Sequence, residues 1–183
     1  ALPAVDIDFA GTLREAVLDI DRLDLTTADA TLGVRGRVGT GPGHRLDLHA
    51  RLQGTVPGYA QPVDARLDLR GPLARLATEL HLDAPVAARV RGTVTGLPGG
   101  PGWDLEAEVA RARLDAIMAD LPPAEVTAHL TSRGDMERFD VAGTATGELA
   151  PWGRWQLEID GGQTAPGRWH MARAELSSPT ATA

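Results

Sequence analysis

Two pairs of carboxylates have the Asp-x-Asp spacing that can chelate a metal ion: Asp6 with Asp8, and Asp19 with Asp21. A protein metal site needs further ligands, and neither pair has a third one nearby in the sequence. Each pair falls in an alternating segment that places both carboxylates on the polar side of a strand, where side chains are normally solvated. The spacing therefore indicates a solvated strand face and no metal site.

Five histidines could act as metal ligands or as general bases, but they are scattered along the chain: His44, His49, His81, His129 and His170. None of them forms a His-x-x-x-His or His-Glu-x-x-His pair, which would place two ligands side by side. No Gly-x-Ser-x-Gly motif is present to hold a nucleophile. The sequence thus predicts no metal site, no cofactor and no catalysis.

The segment Gly39-Thr-Gly-Pro-Gly43 has the glycine content of a phosphate-binding loop. It lacks the Gly-Lys-Ser/Thr ending of such a loop, and Pro42 has no amide where one would be wanted. A strand pattern follows it instead of a helix. We interpret the segment as a turn.

Strict alternation of apolar and charged residues dominates the stretch from His44 to Gly96. Within residues 45–52, the leucines and Ala50 share the even parity, and the charged residues take the odd parity. Successive side chains of a strand point to opposite faces, so each such strand has one apolar face and one charged face. The unit of strand, glycine, short break and strand recurs, which predicts one long sheet with a continuous aliphatic face.

The alternation extends over most of the chain, in residues 5–9, 18–25, 31–38, 86–95, 103–109, 126–130, 139–149, 155–159 and 169–171. The parity slips near Arg22. It changes again after Val109, where the one-residue change of phase indicates a β-bulge or two short strands in sequence. Residues 115–121 alone have helical character and end at Pro122-Pro123, so we expect a connector with one helical turn. The spacing of segments predicts an all-β fold of about 14 strands, spanning about 65 Å.

Composition narrows the possible functions. Hydrophobic residues make up 43% of the chain, aromatic residues only 4%, and the net charge is −7. An acidic chain without a basic stripe argues against a nucleic-acid partner. Cysteine is absent and no apolar run is long enough for a transmembrane helix. Ala1 begins within the pattern, so we expect a segment of a longer protein: residues 1–176 as one continuous β region, and 177–183 as a disordered polar tail.

The unit Leu67-Asp-Leu-Arg-Gly-Pro-Leu-Ala-Arg-Leu-Ala-Thr-Glu-Leu80 resembles the repeats of the TamB family of AsmA-like proteins from diderm bacteria. Residues 1–52, 92–105 and 131–149 are similar to the same repeat. The resemblance implies a single curled sheet, a U-shaped trough called a β-taco, in the periplasm of a protein anchored in the inner membrane. It implies transport of phospholipid to the outer membrane, support of outer-membrane protein assembly, or both. An Omp85-type barrel partner would bind regions outside this chain.

Under this interpretation the aliphatic face lines a groove for phospholipid acyl chains, each gaining about 0.8 kcal/mol per CH₂ group removed from water. The predicted lining residues are Leu46, Leu48, Leu52, Val63, Leu67, Leu69, Leu76, Leu80, Leu82, Val90, Val94, Leu105, Val109, Val126, Leu130, Phe139, Val141, Leu157 and Ile159. Without aromatic wedges or polar anchors, such a lining would let lipid slide. The residues alone fit any antiparallel sheet with one buried face, so a β-sandwich or β-solenoid scaffold segment is the alternative.

The opposite face carries charged residues, among them Arg45, Asp47, Arg51, Asp64, Arg66, Asp68 and Arg70. We predict a solvated face with cross-strand ion pairs, with a partner-docking surface as the alternative. The tryptophans at 103, 152, 155 and 169 are expected to pack at sheet edges or against a connector; a rim that touches lipid headgroups is the other option. Open strand edges also predict possible end-to-end self-association.

Overall fold

A computed structural model describes residues 4–41, 43–55, 61–117, 124–149 and 153–177. The strands are β1 (Asp6–Arg14), β2 (Val17–Thr26), β3 (Ala30–Gly39), β4 (Arg45–Gly54), β5 (Val63–Pro72), β6 (Arg75–Ala84), β7 (Ala87–Thr95), β8 (Gly102–Arg113), β9 (Glu125–Asp135), β10 (Phe139–Leu149), β11 (Gly153–Ala165) and β12 (Arg168–Ser177). A four-residue helix, α1 (Leu114–Ile117), follows β8. Each strand pairs antiparallel with the next, so all twelve form one open sheet in sequence order. The predicted all-β single-sheet fold is confirmed.

The expected count of about 14 strands is wrong for the described residues, because two parity slips lie inside strands and do not end them. In β2, Ile20 pairs with Gly36 and Leu23 with Val34, so two residues face a single one on β3. The second slip, between Val109 and Ala112, is likewise a bulge within β8. A bulge absorbs the extra residue and keeps the ladder continuous. Twelve strands spaced about 4.8 Å apart make a sheet roughly 53 Å across.

The sheet has no second layer in the part of the chain that is described. Strands pack closely only against their neighbours in the ladder, and α1 packs against β8. The accessible surface is 12232 Å², whereas a compact chain of this mass would expose about 8,500 Å². Among described residues, the buried hydrophobic side chains are Val63, Leu76, Val86, Ala112 and Ala124. A sandwich of two packed sheets is therefore not formed by the described residues.

The strand ends lie along two opposite rims of the sheet. At rim 1 the odd-numbered strands end and the even-numbered strands begin, and at rim 2 the even-numbered strands end and the odd-numbered strands begin. The predicted turn at Gly39–Gly43 is confirmed on rim 1, where the His44 amide donates to the Gly41 carbonyl at 3.0 Å; Pro42 is outside the described residues.

The predicted helical connector lies on rim 2. Helix α1 supplies its one turn and begins at Leu114, one residue before the expected start. The Leu114 amide donates to the carbonyl of Ala124 at 3.0 Å, which closes the connector beside β9. The expected stop at Pro122-Pro123, the break at Pro57-Gly58 and the tail from 178 are outside the described residues, whereas Ser177 ends β12. Within the described residues, no helix has the length and the apolar character needed to span a membrane.

Gly92 allows β7 and β8 to approach closely in the middle of the sheet. It lies opposite Leu105 in register and has a φ of +155°, a conformation that residues with a Cβ rarely adopt. An ideal Cβ built on Gly92 would lie 2.0 Å from the Asp104 carbonyl oxygen. The ladder between these strands therefore depends on the missing side chain.

We predict that Gly92→Ala lowers the free energy of unfolding by at least about 2 kcal/mol, since it adds backbone strain and a clash with Asp104. Gly41→Ala is the matched control, because nothing lies within 4 Å of a Cβ built there. Urea unfolding followed by circular dichroism measures both. Equal urea midpoints for the two variants would contradict the role given to Gly92.

Candidate functional site

The register of the sheet brings the predicted lining residues together on one side, the apolar face. Leu67 of β5 lies opposite Ala50 on one side and Leu80 on the other, and Leu80 lies opposite Val90. The same parity continues across β8 to β11, where Ala107 pairs with Leu130. Every predicted lining residue, from Leu46 to Ile159, lies on this face.

The apolar face also contains residues that the prediction left out. They share the parity of the lining across β1, β2 and β3: Ile7, Phe9, Leu13, Leu18, Ile20, Leu23, Leu25, Leu32, Val34 and Val38. The alternation in these segments is visible in the sequence, but the bulge in β2 and the register of the ladder are needed to place them on the same side as the predicted lining. Once the bulge is placed, Leu25 follows Leu52 and Leu32 in one row. The apolar face therefore runs from β1 to β12.

Exposure shows that this face is uncovered in the described structure. Side chains in the middle of the sheet, such as Leu67 and Leu80, are only half-buried, by their neighbours on the same face. Toward the two edge strands they become exposed, with Ile7 at 67% and Trp169 at 70%. Leu76, beside rim 1, is 2% exposed and is the most enclosed of the large side chains.

The face is larger than the apolar patches of ordinary monomers. Along β4 its apolar residues run from Leu46 to Leu52, which corresponds to about 20 Å of strand. With a sheet about 53 Å across, the apolar area is roughly 1,000 Å². Typical monomers expose patches of about 300–600 Å², and larger ones mark lipid or protein contacts. The apolar face is therefore the candidate functional site.

An aromatic group interrupts the aliphatic surface, so the predicted absence of aromatic wedges is wrong. The ring of Trp103 lies 5.8 Å from that of Phe139, and Phe139 lies 5.6 Å from Trp169 in an edge-on arrangement. Gly134 occupies the position between Trp103 and Phe139 in the row. Because glycine has no side chain, rings that are two strands apart can touch. We call Trp103, Phe139 and Trp169 the aromatic trio.

Polar groups also occur on the apolar face, so the expected absence of polar anchors is wrong as well. Thr78, Ser132 and Gln163 share its parity. The indole N–H of Trp103 donates to Ser132 Oγ at 2.9 Å, which fixes the ring against the sheet. Ser132 and Trp103 lie on neighbouring strands that are distant in sequence, so only the topology reveals this contact.

The remaining tryptophans divide between the described and undescribed parts of the chain. Trp155 lies over Gly147, where an added Cβ would meet its Cζ2 at 2.5 Å. It packs on the sheet near rim 2, as expected for a tryptophan that covers a strand end. Trp152 is outside the described residues.

The opposite side, the charged face, carries the cross-strand ion pairs that the alternation predicts. Arg51 pairs with Asp64 at 2.8 Å, and Arg66 with Asp83 at 2.8 Å. Asp47 lies between Arg37 and Arg70, at 3.7 and 3.5 Å. The arginines of these pairs are exposed, so water screens the attraction and each pair contributes little to the free energy of unfolding.

Two carboxylates on the charged face are held by a histidine and an arginine together. Glu106 accepts from His129 at 2.7 Å and from Arg91 at 2.9 Å, and these hydrogen bonds lower its pKa. The pKa of Glu79 is lowered by hydrogen bonds from His81 and then from Arg89. Most of these partners lie on neighbouring strands, so sequence spacing could not reveal them.

Glu106, Glu108 and His129 have ligand atoms within 4.8 Å of one another. Arg91 already lies 2.9 Å from Glu106 and 4.0 Å from Glu108, so its guanidinium group compensates their negative charge. The group is thus explained as part of the surface ion network. Its members come from two strands, and neither strand alone shows a metal-ligand pattern.

Several open depressions in the surface are lined mainly by the charged face. The largest of those described, about 730 Å³, lies among Asp68, Arg70, Glu79, Arg91 and Asp104. These side chains all belong to ion pairs of the charged face. The depressions are gaps between paired charges on a single sheet.

Comparison of the chain with protein-family models, curated proteins and solved structures found no match. The functional argument therefore depends on the two faces of the sheet and on the chemistry of their side chains.

We predict that the free energy of unfolding decreases as the pH is lowered, because carboxylates of the charged face become protonated. Glu79 and Glu106 have pKa values below the ordinary value of 4.5, so the unfolded chain takes up protons first as the pH falls. The stability they contribute is complete above that value and is lost as the pH falls through their folded pKa values. Glu106→Gln should reduce the loss in unfolding free energy between neutral pH and about pH 3.5.

The matched control is Glu137→Gln, at an exposed residue of the β9–β10 turn. It should leave the difference in unfolding free energy between the two pH values unchanged. If Glu106→Gln behaves like this control, the ion network does not couple stability to protonation.

Proposed function

We propose that this chain binds the acyl chains of phospholipid on its apolar face and lets them move across the sheet from strand to strand. One observation supports this proposal above all: an apolar face with few polar residues crosses twelve strands, and no second layer of the described chain covers it. Removing hydrocarbon from water against such a face is favourable by about 0.8 kcal/mol per CH₂ group.

The make-up of the face suits flexible hydrocarbon better than a folded protein partner. Protein interfaces are enriched in aromatic residues and arginine at their centres. Here the centre is aliphatic, with Leu67, Leu69, Leu80 and Val90 in adjoining strands. The apolar width of about 20 Å along a strand exceeds the roughly 15 Å that one leaflet's hydrocarbon occupies. An acyl chain laid parallel to the strands therefore fits between the rims.

Movement across the sheet would proceed in steps of about 4.8 Å, the distance between neighbouring strands. Rows of similar aliphatic side chains, such as Leu48 opposite Leu69, make successive positions nearly equivalent in energy. The aromatic trio breaks this equivalence near β8 to β12, so we expect lipid to pause there.

The resemblance of residues 67–80 to TamB repeats supports the same proposal. It suggests a segment of a periplasmic, inner-membrane-anchored protein that carries phospholipid to the outer membrane or supports protein assembly there. Contacts with an Omp85-type barrel would belong to regions outside this chain.

A structural role is the second candidate, and the edge strands favour it. β1 and β12 each pair on one side only, and they expose Ile7, Phe9, Trp169 and Met171. Unpaired edges with apolar side chains promote addition of further strands. In that case the chain would be a scaffold segment that associates end to end.

Native mass spectrometry of the purified chain separates the two candidates. We expect phospholipid to accompany the protein, and uptake of a fluorescent phospholipid from vesicles. Leu67→Arg combined with Leu80→Arg should abolish uptake while leaving the sheet folded, since both side chains are only half-buried and face no second layer.

Ala77→Arg is the matched control, because Ala77 is an exposed residue of β6 on the charged face. It should take up lipid like the unchanged chain. If the double variant unfolds, a packed core is present and the account is wrong. If the unchanged chain never carries lipid but forms end-to-end oligomers, the scaffold role is correct.

A further inference from the structure

Rim 1 presents arginines that have no ion-pair partner. Arg14, Arg45, Arg75 and Arg168 are each the terminal residue of a strand at this rim, and all four are exposed. Within the described ranges, no carboxylate lies within 4.0 Å of any of them. Most other arginines of the charged face, such as Arg51 and Arg66, are paired, and the exception away from rim 1 within the described residues is Arg35, in the middle of β3. The four form a line of available cations.

Rim 2 has the opposite character. Arg111 lies 3.6 Å from Glu125 and Arg113 lies 2.5 Å from Asp115, and Arg154 is not free either. Asp6 and Asp29 add exposed negative charge at the same rim. In a chain of net charge −7, the available positive charge is thus concentrated on one side.

Rim 1 also has carboxylates, and one of them already accepts hydrogen bonds from backbone amides. Asp135 accepts hydrogen bonds from the amides of Glu137 and Arg138, both at 2.8 Å, and these lower its pKa. Glu15 and Glu137 lie in turns, whereas the four arginines lie at strand ends. At rim 1 the unpaired arginines are therefore closer to the sheet than the carboxylates of the turns.

Each of the four arginines is adjacent in sequence to a residue of the apolar face. The pairs are Leu13 with Arg14, Arg45 with Leu46, Arg75 with Leu76, and Arg168 with Trp169. Adjacent residues of a strand point to opposite faces, so each arginine side chain starts on the charged face and can meet such a ligand only around the end of its strand. A ligand whose apolar part contacts Leu46 or Leu76, and whose anion extends to rim 1, would place that anion within reach of Arg45 or Arg75. The guanidinium group binds phosphate by two parallel hydrogen bonds.

The aromatic trio lies along the same rim, at the first or second residue of β8, β10 and β12. Tryptophan favours the boundary between hydrocarbon and headgroups, because its ring is apolar and its N–H is polar. Trp155 shows that a tryptophan also lies near rim 2, so the arginines are the feature that distinguishes the two rims.

We infer that rim 1 receives the phosphate of an anionic phospholipid headgroup, while the acyl chains lie along the strands toward rim 2. This inference rests on the proposed function and adds to it an orientation and a headgroup class. Lipids bound at successive strands would then all point the same way, and acidic rim 2 would repel the reverse orientation.

A pair of labelled threonines tests the orientation. The chain has no cysteine, so a single introduced thiol can carry a fluorophore. Thr95 ends β7 at rim 1 opposite Arg75, and Thr26 ends β2 at rim 2; both are exposed. With phosphatidylglycerol that carries a nitroxide on its headgroup, the label at Thr95→Cys should be quenched several-fold more than the label at Thr26→Cys.

Equal quenching, or stronger quenching at Thr26→Cys, would overturn the orientation. A nitroxide within the acyl chain reports separately on the proposed function through a third label, at Leu67→Cys on the apolar face, which it should quench whenever hydrocarbon lies there. If the acyl nitroxide does not quench this third label, the proposed function fails as well. Inorganic phosphate at the same concentration should not displace the lipid; displacement would identify a simple anion site.

Arginine variants test the headgroup class. Vesicles with identical acyl chains and either phosphoglycerol or phosphocholine headgroups give the ratio of lipid taken up. We expect a preference for phosphoglycerol that falls about fivefold per arginine removed, equivalent to about 1 kcal/mol each, in Arg45→Gln and Arg75→Gln. Arg111→Gln with Arg113→Gln at rim 2 should keep the preference. Its loss in the rim 2 control, or its absence in the unchanged chain, would overturn the headgroup assignment.

Discussion

Hydrogen bonding between neighbouring strands is the interaction on which the whole structure depends. A sandwich or barrel gains its stability from side chains pressed between two layers. Here most apolar residues of the interior strands are only half-buried, and full burial is confined to a few positions such as Leu76 and Val86. The ladder must therefore stay continuous, which explains why bulges absorb extra residues inside β2 and β8 and why Gly92 lies where two strands approach closely.

The two faces of the sheet contribute to stability in different ways. The charged face contributes many weak ion pairs, and it keeps a broad thin sheet in contact with water. The apolar face contributes local contacts between strands but leaves much of its surface unburied, so hydrocarbon from another molecule can complete its burial. The same absence of a second layer thus limits the stability of the chain and creates its candidate site.

Period-two alternation was enough to predict antiparallel strands, their two faces and the shared side of residues such as Leu67, Leu80 and Val90. That a single sheet stays open was expected only from the resemblance to TamB repeats. The aromatic trio could not be predicted, because Trp103 and Phe139 meet across Gly134 only when the register of three strands is known. The arginines of rim 1 were hidden for a related reason. In the sequence, Arg45 is one more charged residue of an alternating strand. Only the order of the strands shows that it lies at the same rim as Arg75.

The most direct test of the account is a periodicity measurement on β5 in the presence of lipid. Single thiols placed by substitution at Leu67, Asp68, Leu69 and Arg70 would carry a fluorophore, with a nitroxide on the acyl chain of added phospholipid as the quencher. The account predicts quenching that alternates with a period of two, strong at positions 67 and 69 and weak at 68 and 70, because side chains alternate between the faces. Uniform quenching, or none at 67 and 69, would show that hydrocarbon does not lie on the apolar face.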